Sequence, residues 1–563
     1  MWIIGRKDLL GYWKLKGDCK DYSGNSNHGI NFDANLRTGE FNGCSSYVLI
    51  EHSDSLDLGT EDFSVCCWIW TRRGITDIIG DVVNKYDPSR RRGFTISINS
   101  SAGGYNSHGD DKHVCFGIDN GKVSQWEDHG RPSESSNYVN SLTVYEGSLY
   151  AATTDGKIFQ EWSHVYRFKK QKEWEDCGRV GNLKTKGVGP LIVHDKKLYA
   201  ATWNIDWTRV HTDDLDYCRI YSYRGGKDWM DCGQPGQCRR IICMASYAGK
   251  LYCGGDDANG GTYKVFVYDG ATRWRVSGEF PTEGPKACFP HAMSVHDGEL
   301  YVGFPAVYCF DGSGWKYVGV PVGSTQVHSL EVYRGKLHAG TWPEGKVAVY
   351  MGGEDWRDCG QPGDSTEINA LTVYNGKFYA GSIPRSEVWR YEGGKDWTRM
   401  ARFFEPVGWM PAPVDPSIQD YDERVKEWSR LTSLTVFNGK LFASTGSCTS
   451  SVLDAPCDIR GKVFSMEAGK CASYDCDLGW GWKHIVAVKD GGRLKLYIDG
   501  ELKAMSSPFD PDEYDISNEE PLKIGFGELD YFSGKICEVS IYGRRLSDGE
   551  VKGAYEGSRM DFV

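Results

Sequence analysis

The chain has 563 residues, 40% of them hydrophobic and 25% charged, with a formal net charge of −12. That length predicts two or three domains with ample core, while the acidic balance excludes a phosphate-backbone partner and no apolar run reaches the ~18 residues of a membrane span. High Gly (69), Tyr (32) and Trp (20) contents point to an all-β protein of many short strands.

The chain opens on MWIIGRKDLLGYW, which has no long apolar stretch and leads straight into a strand, so no secretory leader is expected. Three strand-and-turn motifs follow: GYWKLKGDCKDYSGNSNHG (11–29), FNGCSSYVLI (41–50) and DLGTEDFSVCCWIW (57–70).

A different pattern then takes over. The unit is clearest in INALTVYNGKFYAG (368–381) and VHSLEVYRGKLHAG (327–340), and weaker copies start at Val139, Val188, Ile241, Pro290 and Leu431. Each copy pairs an apolar alternation with a tight turn such as Asn375-Gly376 or Asp297-Gly298, a strong hairpin signal. A third strand and a fourth marked by tryptophan complete each unit: Trp126, Trp174, Trp229, Trp274, Trp315, Trp356 and Trp397. A period of roughly 40–50 residues with this β content predicts a propeller. Trp126 precedes the first hairpin and the last hairpin lacks a tryptophan partner, so WEDHG (126–130) is expected to complete the seventh blade and close the ring.

Beyond the repeats come WKHIVAVKDGGRLKLYIDGEL (482–502) and FSGKICEVSIYGRRLSDGEV (532–551). In order and spacing, the five flanking motifs resemble the laminin-G-like domains of the concanavalin A-like lectin/glucanase superfamily. The resemblance covers both flanks and implies a two-sheet jelly roll that binds glycan or protein without catalysis. The expected fold is therefore all-β: an antiparallel jelly-roll sandwich in two halves, 1–121 and 480–563, with a seven-bladed β-propeller, 122–479, inserted between them. The propeller resembles Kelch-type and sialidase-type propellers only in general terms. The jelly-roll resemblance also implies a structural calcium ion held by Asp21, Asn25, Asn27 and Glu538. Cys537 stands where such domains carry an aspartate, and an Asx/Gly turn capping a sheet corner explains the same loop equally well.

The 19 cysteines are an odd number. Cys177, Cys232 and Cys359 share a repeat position with His129, Ser277 and Val318, which reads as a packing slot and not as a disulfide or metal framework. Cys448/Cys457 and Cys471/Cys476 are close enough in sequence to form bridges.

Long connections gather on one face of a propeller, and function usually sits in such loops. A ring at one position of the first strand includes Asn140, His291, His328, Asn369 and Thr432; the two histidines on adjacent blades either ligate an ion or, as favoured, hydrogen-bond channel water. Trp203, Phe304 and Trp342 follow second strands, and Trp207 and Trp409 join them near the loop-rich face. Singly, each reads as a wedge between blades; together they suggest a sugar-stacking groove. Loop acids (Asp206, Asp213, Asp214, Asp256, Asp257, Glu367, Asp415) leave a glycosidase pair open, and Arg239, Arg240 and Arg385 suit a sialidase-like carboxylate clamp by location alone. The expectation is a non-enzymatic glycan-binding or adhesion protein of an extracellular or virion surface. A glycoside hydrolase or lyase and a virion structural protein are the alternatives, with a glycan or a surface protein as partner.

Overall fold

The computed structural model describes residues 8–100, 102–103, 107–156, 162–204, 216–257, 263–280, 290–405, 429–447 and 460–562. Nearly all regular structure is antiparallel strand. The flanks form two facing sheets. One orders Leu9–Trp13, Ser533–Tyr542, Phe63–Thr71, Gly481–Asp490, Arg493–Ile498 and Glu501–Met505. The other orders Gly29–Phe32, Tyr47–Ile50, Leu522–Ile524, Gly80–Asp87, Arg92–Asn99, His113–Val123 and Ala468–Tyr474. Strands from both ends of the chain alternate in each sheet, so neither flank can complete the sandwich alone. Phe63, Ile69, Phe94, Phe116, Leu496 and Ile536 fill the space between the sheets, each at most 1% exposed. The α-helix Asp548–Ser558, fixed by a Ser547/Glu550 capping box, covers the outer face through Val551 and Ala554.

The intervening segment folds into seven four-stranded meanders, the blades of a propeller. The seventh takes its outer strand from the start of the insert: Glu127 pairs with Ser465 and Asp128 with Phe464, as the position of Trp126 predicts. The expected boundary at 479 moves, because Ala468–Tyr474 pairs with His113–Val123 in the sandwich. At the crossing the chain carries Gly469 in the left-handed region (φ 71°), where a Cβ would meet Ile118 O at 2.3 Å.

The seven outer-strand tryptophans link the blades by one repeated bond. Each indole Nε1 donates to the carbonyl three residues beyond the tryptophan of the preceding blade: Trp174 to His129 (3.1 Å), Trp229 to Cys177 (2.9 Å), Trp274 to Cys232 (2.9 Å), Trp315 to Ser277 (3.1 Å), Trp356 to Val318 (2.8 Å), Trp397 to Cys359 (2.9 Å) and Trp126 to Met400 (3.2 Å). Only the backbone of the receiving slot is used, which explains why it tolerates Cys, His, Ser, Val and Met. Every described cysteine is a free thiol, Cys471 and Cys476 included; Cys448 and Cys457 lie outside the described residues.

The first hairpin turn of every blade rests on the sandwich. Positive φ at both central residues, for example Asn375 (46°) and Gly376 (72°), gives the tight turn that matches strand twist. Around the ring, Gly147 N donates to Asp475 O, Asp195 N to Asp110 Oδ2, Ala248 N to Ile75 O, Asp297 N to Asp77 Oδ1, Gly335 N to Leu529 O, Asn375 Nδ2 to Ile118 O and Gly439 N to Ser473 Oγ. The flat face of the propeller is thus the docking face. From the sandwich, Ser107 and His108 enter the axis: Ser107 Oγ accepts from Met244 N (3.0 Å) and His108 Nδ1 from Val295 N (3.0 Å).

Candidate functional site

Three places bear on function: the propeller axis, the predicted calcium loop and a cleft between the two modules. At the axis, the rings of His291 and His328 meet at a 41° tilt with centroids 4.1 Å apart, both buried. His328 Nδ1 lies 2.9 Å from Glu367 Oε1 and its Nε2 lies 2.8 Å from Gln326 Oε1. Arg430 reaches Glu367 at 3.1 Å. Burial pushes the Glu367 carboxyl up, but Arg430 and His328 outweigh it and hold the acid below its usual range. Asn140 Nδ2 donates to Val188 O of the next blade (2.7 Å) and Thr432 Oγ1 to Val139 O (2.5 Å), so these two ring positions tie blades together. Asn369 is fully buried with neither amide atom partnered by protein. Of the predicted ligand residues, the axis brings His291 and His328 into contact, while Asn140 is taken up by blade-to-blade bonding.

Among the described residues, Trp203 and Phe304 do not line an open groove. Trp203 is 6% exposed, packed among Ile192, Ile220 and Ile241, with Nε1 donating to Thr154 Oγ1 of the preceding blade (3.2 Å). Phe304 is 2% exposed and stacks against Phe280 at 4.7 Å. Both rings end a second strand, where neighbouring blades converge and exclude water. Trp342 is half-buried. Trp207, Trp409, Asp206, Asp213, Asp214 and Asp415 lie outside the described residues, as do the side chains of Asp256 and Asp257. Of the arginines, Arg385 is held by Asp364 at 2.7 Å.

In the loop proposed for calcium, Asp21 accepts from protein donors at both oxygens: Tyr12 N (3.0 Å) and Ser23 N (2.8 Å) on Oδ1, Asn27 N (3.0 Å) and Ser23 Oγ (2.8 Å) on Oδ2. Asn25 and Asn27 turn their amide nitrogens to Leu10 O, both at 3.0 Å. Glu538 accepts from the Tyr12 hydroxyl. The carboxylate of Asp21 thus organises the loop as an Asx turn does.

The cleft lies where the turns of the first two blades meet the 476–483 segment. It has a volume of about 440 Å³ and is lined by Tyr145, Glu146 and Lys196 of the propeller and by Leu478, Trp480 and Lys483 of the sandwich. Trp480 sits between Gly479 (φ 76°) and Gly481 (φ 86°), a kinked stretch that turns the indole outward. It is 47% exposed, and it is the one exposed tryptophan among the described residues. Lys196 Nζ stands 4.6 Å from a Trp480 ring centroid and the Arg73 guanidinium 5.3 Å. Beneath, His113 Nε2 meets Asp111 Oδ2 at 2.8 Å, both buried. Burial works against the charge on His113, but the carboxylate and its hydrogen bond prevail and raise the imidazole to about 9. An apolar plate ringed by donors and acceptors suits a polyhydroxylated ligand. Sequence reading passed over Trp480 because it stands outside both the repeat register and the flanking motifs; the Gly-Trp-Gly-Trp run was the available signal.

A family model described as the concanavalin A-like lectin/glucanases superfamily matches residues 471–552. No curated protein matches the chain. Among solved structures, a catalytically inactive virginiamycin B lyase from Staphylococcus aureus with quinupristin aligns at 10% identity, covering 62% of this chain and 99% of that one, with a TM-score of 0.41. Trypanosoma rangeli sialidase in complex with a difluoro-nononic acid aligns at 12% identity over 77% of this chain and 98% of that one, with a TM-score of 0.32. No helix among the described residues is long and apolar enough to cross a membrane.

Proposed function

We propose that this chain is a carbohydrate-recognition protein of a cell or virion surface, in which a laminin-G-like jelly roll and its inserted seven-bladed propeller together hold a glycan in the Trp480 cleft. The observation that carries this reading is the exposed Trp480 indole in a cleft of about 440 Å³. Sugar C–H faces stack on such rings, and a cleft of this size falls in the ordinary range for small ligands. Glu146, Lys196 and Lys483 would supply hydrogen bonds to hydroxyls, and the cations beside the indole favour a sugar bearing carboxylate or sulfate. A glycan array screened with the intact chain and with Trp480→Ala tests it. Selective binding lost in the variant supports the cleft; binding unchanged by the variant, or none to any glycan, overturns it.

A second reading rests on the His291–His328–Glu367–Arg430 network, whose acid and imidazoles could serve a hydrolase or lyase at the propeller axis. Turnover of a glycan that is abolished by Glu367→Gln and spared by Trp480→Ala would favour it.

A further inference from the structure

A separate group of side chains lies where the turn of the fourth blade docks. Asp77 precedes the strand Gly80–Asp87, Asp530 precedes Ser533–Tyr542, and His296 and Asp297 form the start of the blade-four turn. One donor atom from each of Asp77, His296 and Asp530 falls within 4.8 Å of the others, and the same holds for Cys44, Asp77 and Asp297, so Asp77 belongs to both sets. The imidazole stands between two acids, with Nδ1 3.7 Å from Asp530 Oδ2 and Nε2 3.5 Å from Asp297 Oδ2.

The three inner residues are 4% (Asp77), 6% (His296) and 0% (Asp530) exposed. His296 Nδ1 and Asp530 Oδ2 have no hydrogen-bond partner, so both are aimed into the space between them unsatisfied. Among the described residues, no lysine or arginine pairs with Asp77, Asp297 or Asp530. Asp77 and Asp530 are buried with the His296 imidazole as the one basic side chain beside them among the described residues, and a cation shared by the three would offset the cost of holding both acids charged. The backbone is fitted to the spot: a Cβ on Gly43 (φ 82°) would come within 2.6 Å of Asp77 Oδ2. Asp297 N donates to Asp77 Oδ1 (3.2 Å) and Tyr531 N to Asp530 Oδ1 (2.8 Å), which leaves Asp530 Oδ2 available.

We propose that Asp77, His296 and Asp530 bind one first-row divalent cation, with Asp297 and Cys44 beside it, and that the ion clamps the fourth blade to the sandwich. Imidazole, carboxylate and thiol together select zinc over calcium, which takes oxygen ligands in larger number. The ion would join residues from three distant parts of the chain.

The test uses the full chain dialysed against chelator, then titrated with zinc chloride and, in parallel, calcium chloride. The expected result is about one zinc bound per chain and a melting temperature that rises with zinc concentration, as preferential binding to the folded state requires. Asp77→Asn and His296→Gln should each weaken zinc binding by about tenfold or more. A second measurement needs no variant: zinc should slow alkylation at Cys44, located by mass spectrometry, and calcium should not. Absence of zinc binding, a response to calcium alone, or unchanged Cys44 alkylation overturns the proposal. So does an Asp530→Asn variant that is more stable than the parent without metal while zinc has no effect on either, the behaviour of a proton-sharing acid pair.

Discussion

Trp126 and Met400 lie 274 positions apart in the chain, yet the Trp126 indole donates to the Met400 carbonyl at 3.2 Å. This is the seventh of a ring of equivalent bonds and the one that joins the first strand of the insert to its sixth blade. Replacing Trp126 by Phe keeps the contact with Phe403, an edge-to-face pair at 5.3 Å, and removes the donor. The expected cost is about 1 kcal/mol, seen as a small fall in melting temperature. Hydrogen exchange should quicken first in Lys440–Ser447 and Val463–Met466, because the seventh blade loses its latch before the others. Uniform quickening across all blades would show that the ring has no weak seam.

Two tryptophans separate packing from recognition. Trp203→Ala removes a ring that is 6% exposed between blades, and about 3–5 kcal/mol of stability should go with it. Trp480→Ala touches an indole 47% exposed and should leave thermal stability within about 0.5 kcal/mol of the parent. Glycan binding should vanish in the second variant and persist in whatever fraction of the first remains folded. The reverse pattern would move recognition back to the loop-rich face.

The architecture was legible because propeller repeats and turn chemistry are local. Gly298, Gly376 and Gly439 announce type I′ turns from sequence alone, and the displaced Trp126 announces the ring closure. Function was less legible because it depends on what meets across the seam. Trp203 and Phe304 read singly as wedges between blades and together as a groove; the convergence of neighbouring blades buries both as wedges. Asp77 and His296 belong to unrelated motifs 219 positions apart, and nothing local marks either as half of a cluster. The change of module at Glu467 was also hidden, since Gly469 (φ 71°), which marks it, looks like the glycine that ends the third strand of other blades.

His108, carried by the sandwich into the propeller axis, is 1% exposed and receives Val295 N at Nδ1. An imidazole that accepts there is neutral, and burial lowers its pKa to about 4. The unfolded chain takes up the proton near 6.5, so the contribution of this residue is intact above that pH and is lost as pH falls from about 6.5 to about 4. His108→Gln removes this dependence. Plotted against pH, the difference in melting temperature between parent and variant should be flat above about 6.5 and swing in favour of the variant below it. A flat difference down to pH 4 would mean that His108 takes up its proton in the fold as readily as in the unfolded chain.

Lys377 and Asp119 form a buried ion pair across the seam, 4% and 1% exposed. Asp119 also accepts from the Tyr86 hydroxyl (2.8 Å), and Lys377 Nζ donates to Asn375 O (2.8 Å), so the pair is part of the network that seats the sixth-blade turn. Burial lowers the lysine pKa, against the opposing pull of Asp119. Lys377→Met leaves a buried carboxylate with only the Tyr86 hydroxyl and Gly121 N (3.0 Å) as donors, and the expected loss is about 3–5 kcal/mol. Joining it with Asp119→Leu removes the stranded charge and should recover much of that loss, since an apolar pair of similar volume is often no worse than the ion pair it replaces. Thermal unfolding of the two single variants and the double variant gives the coupling directly. A double variant as unstable as the sum of the singles would mean that the two charges do not support each other, and that the turn is held by the Asn375 amide bonds to Ile118 O and Ala468 O instead.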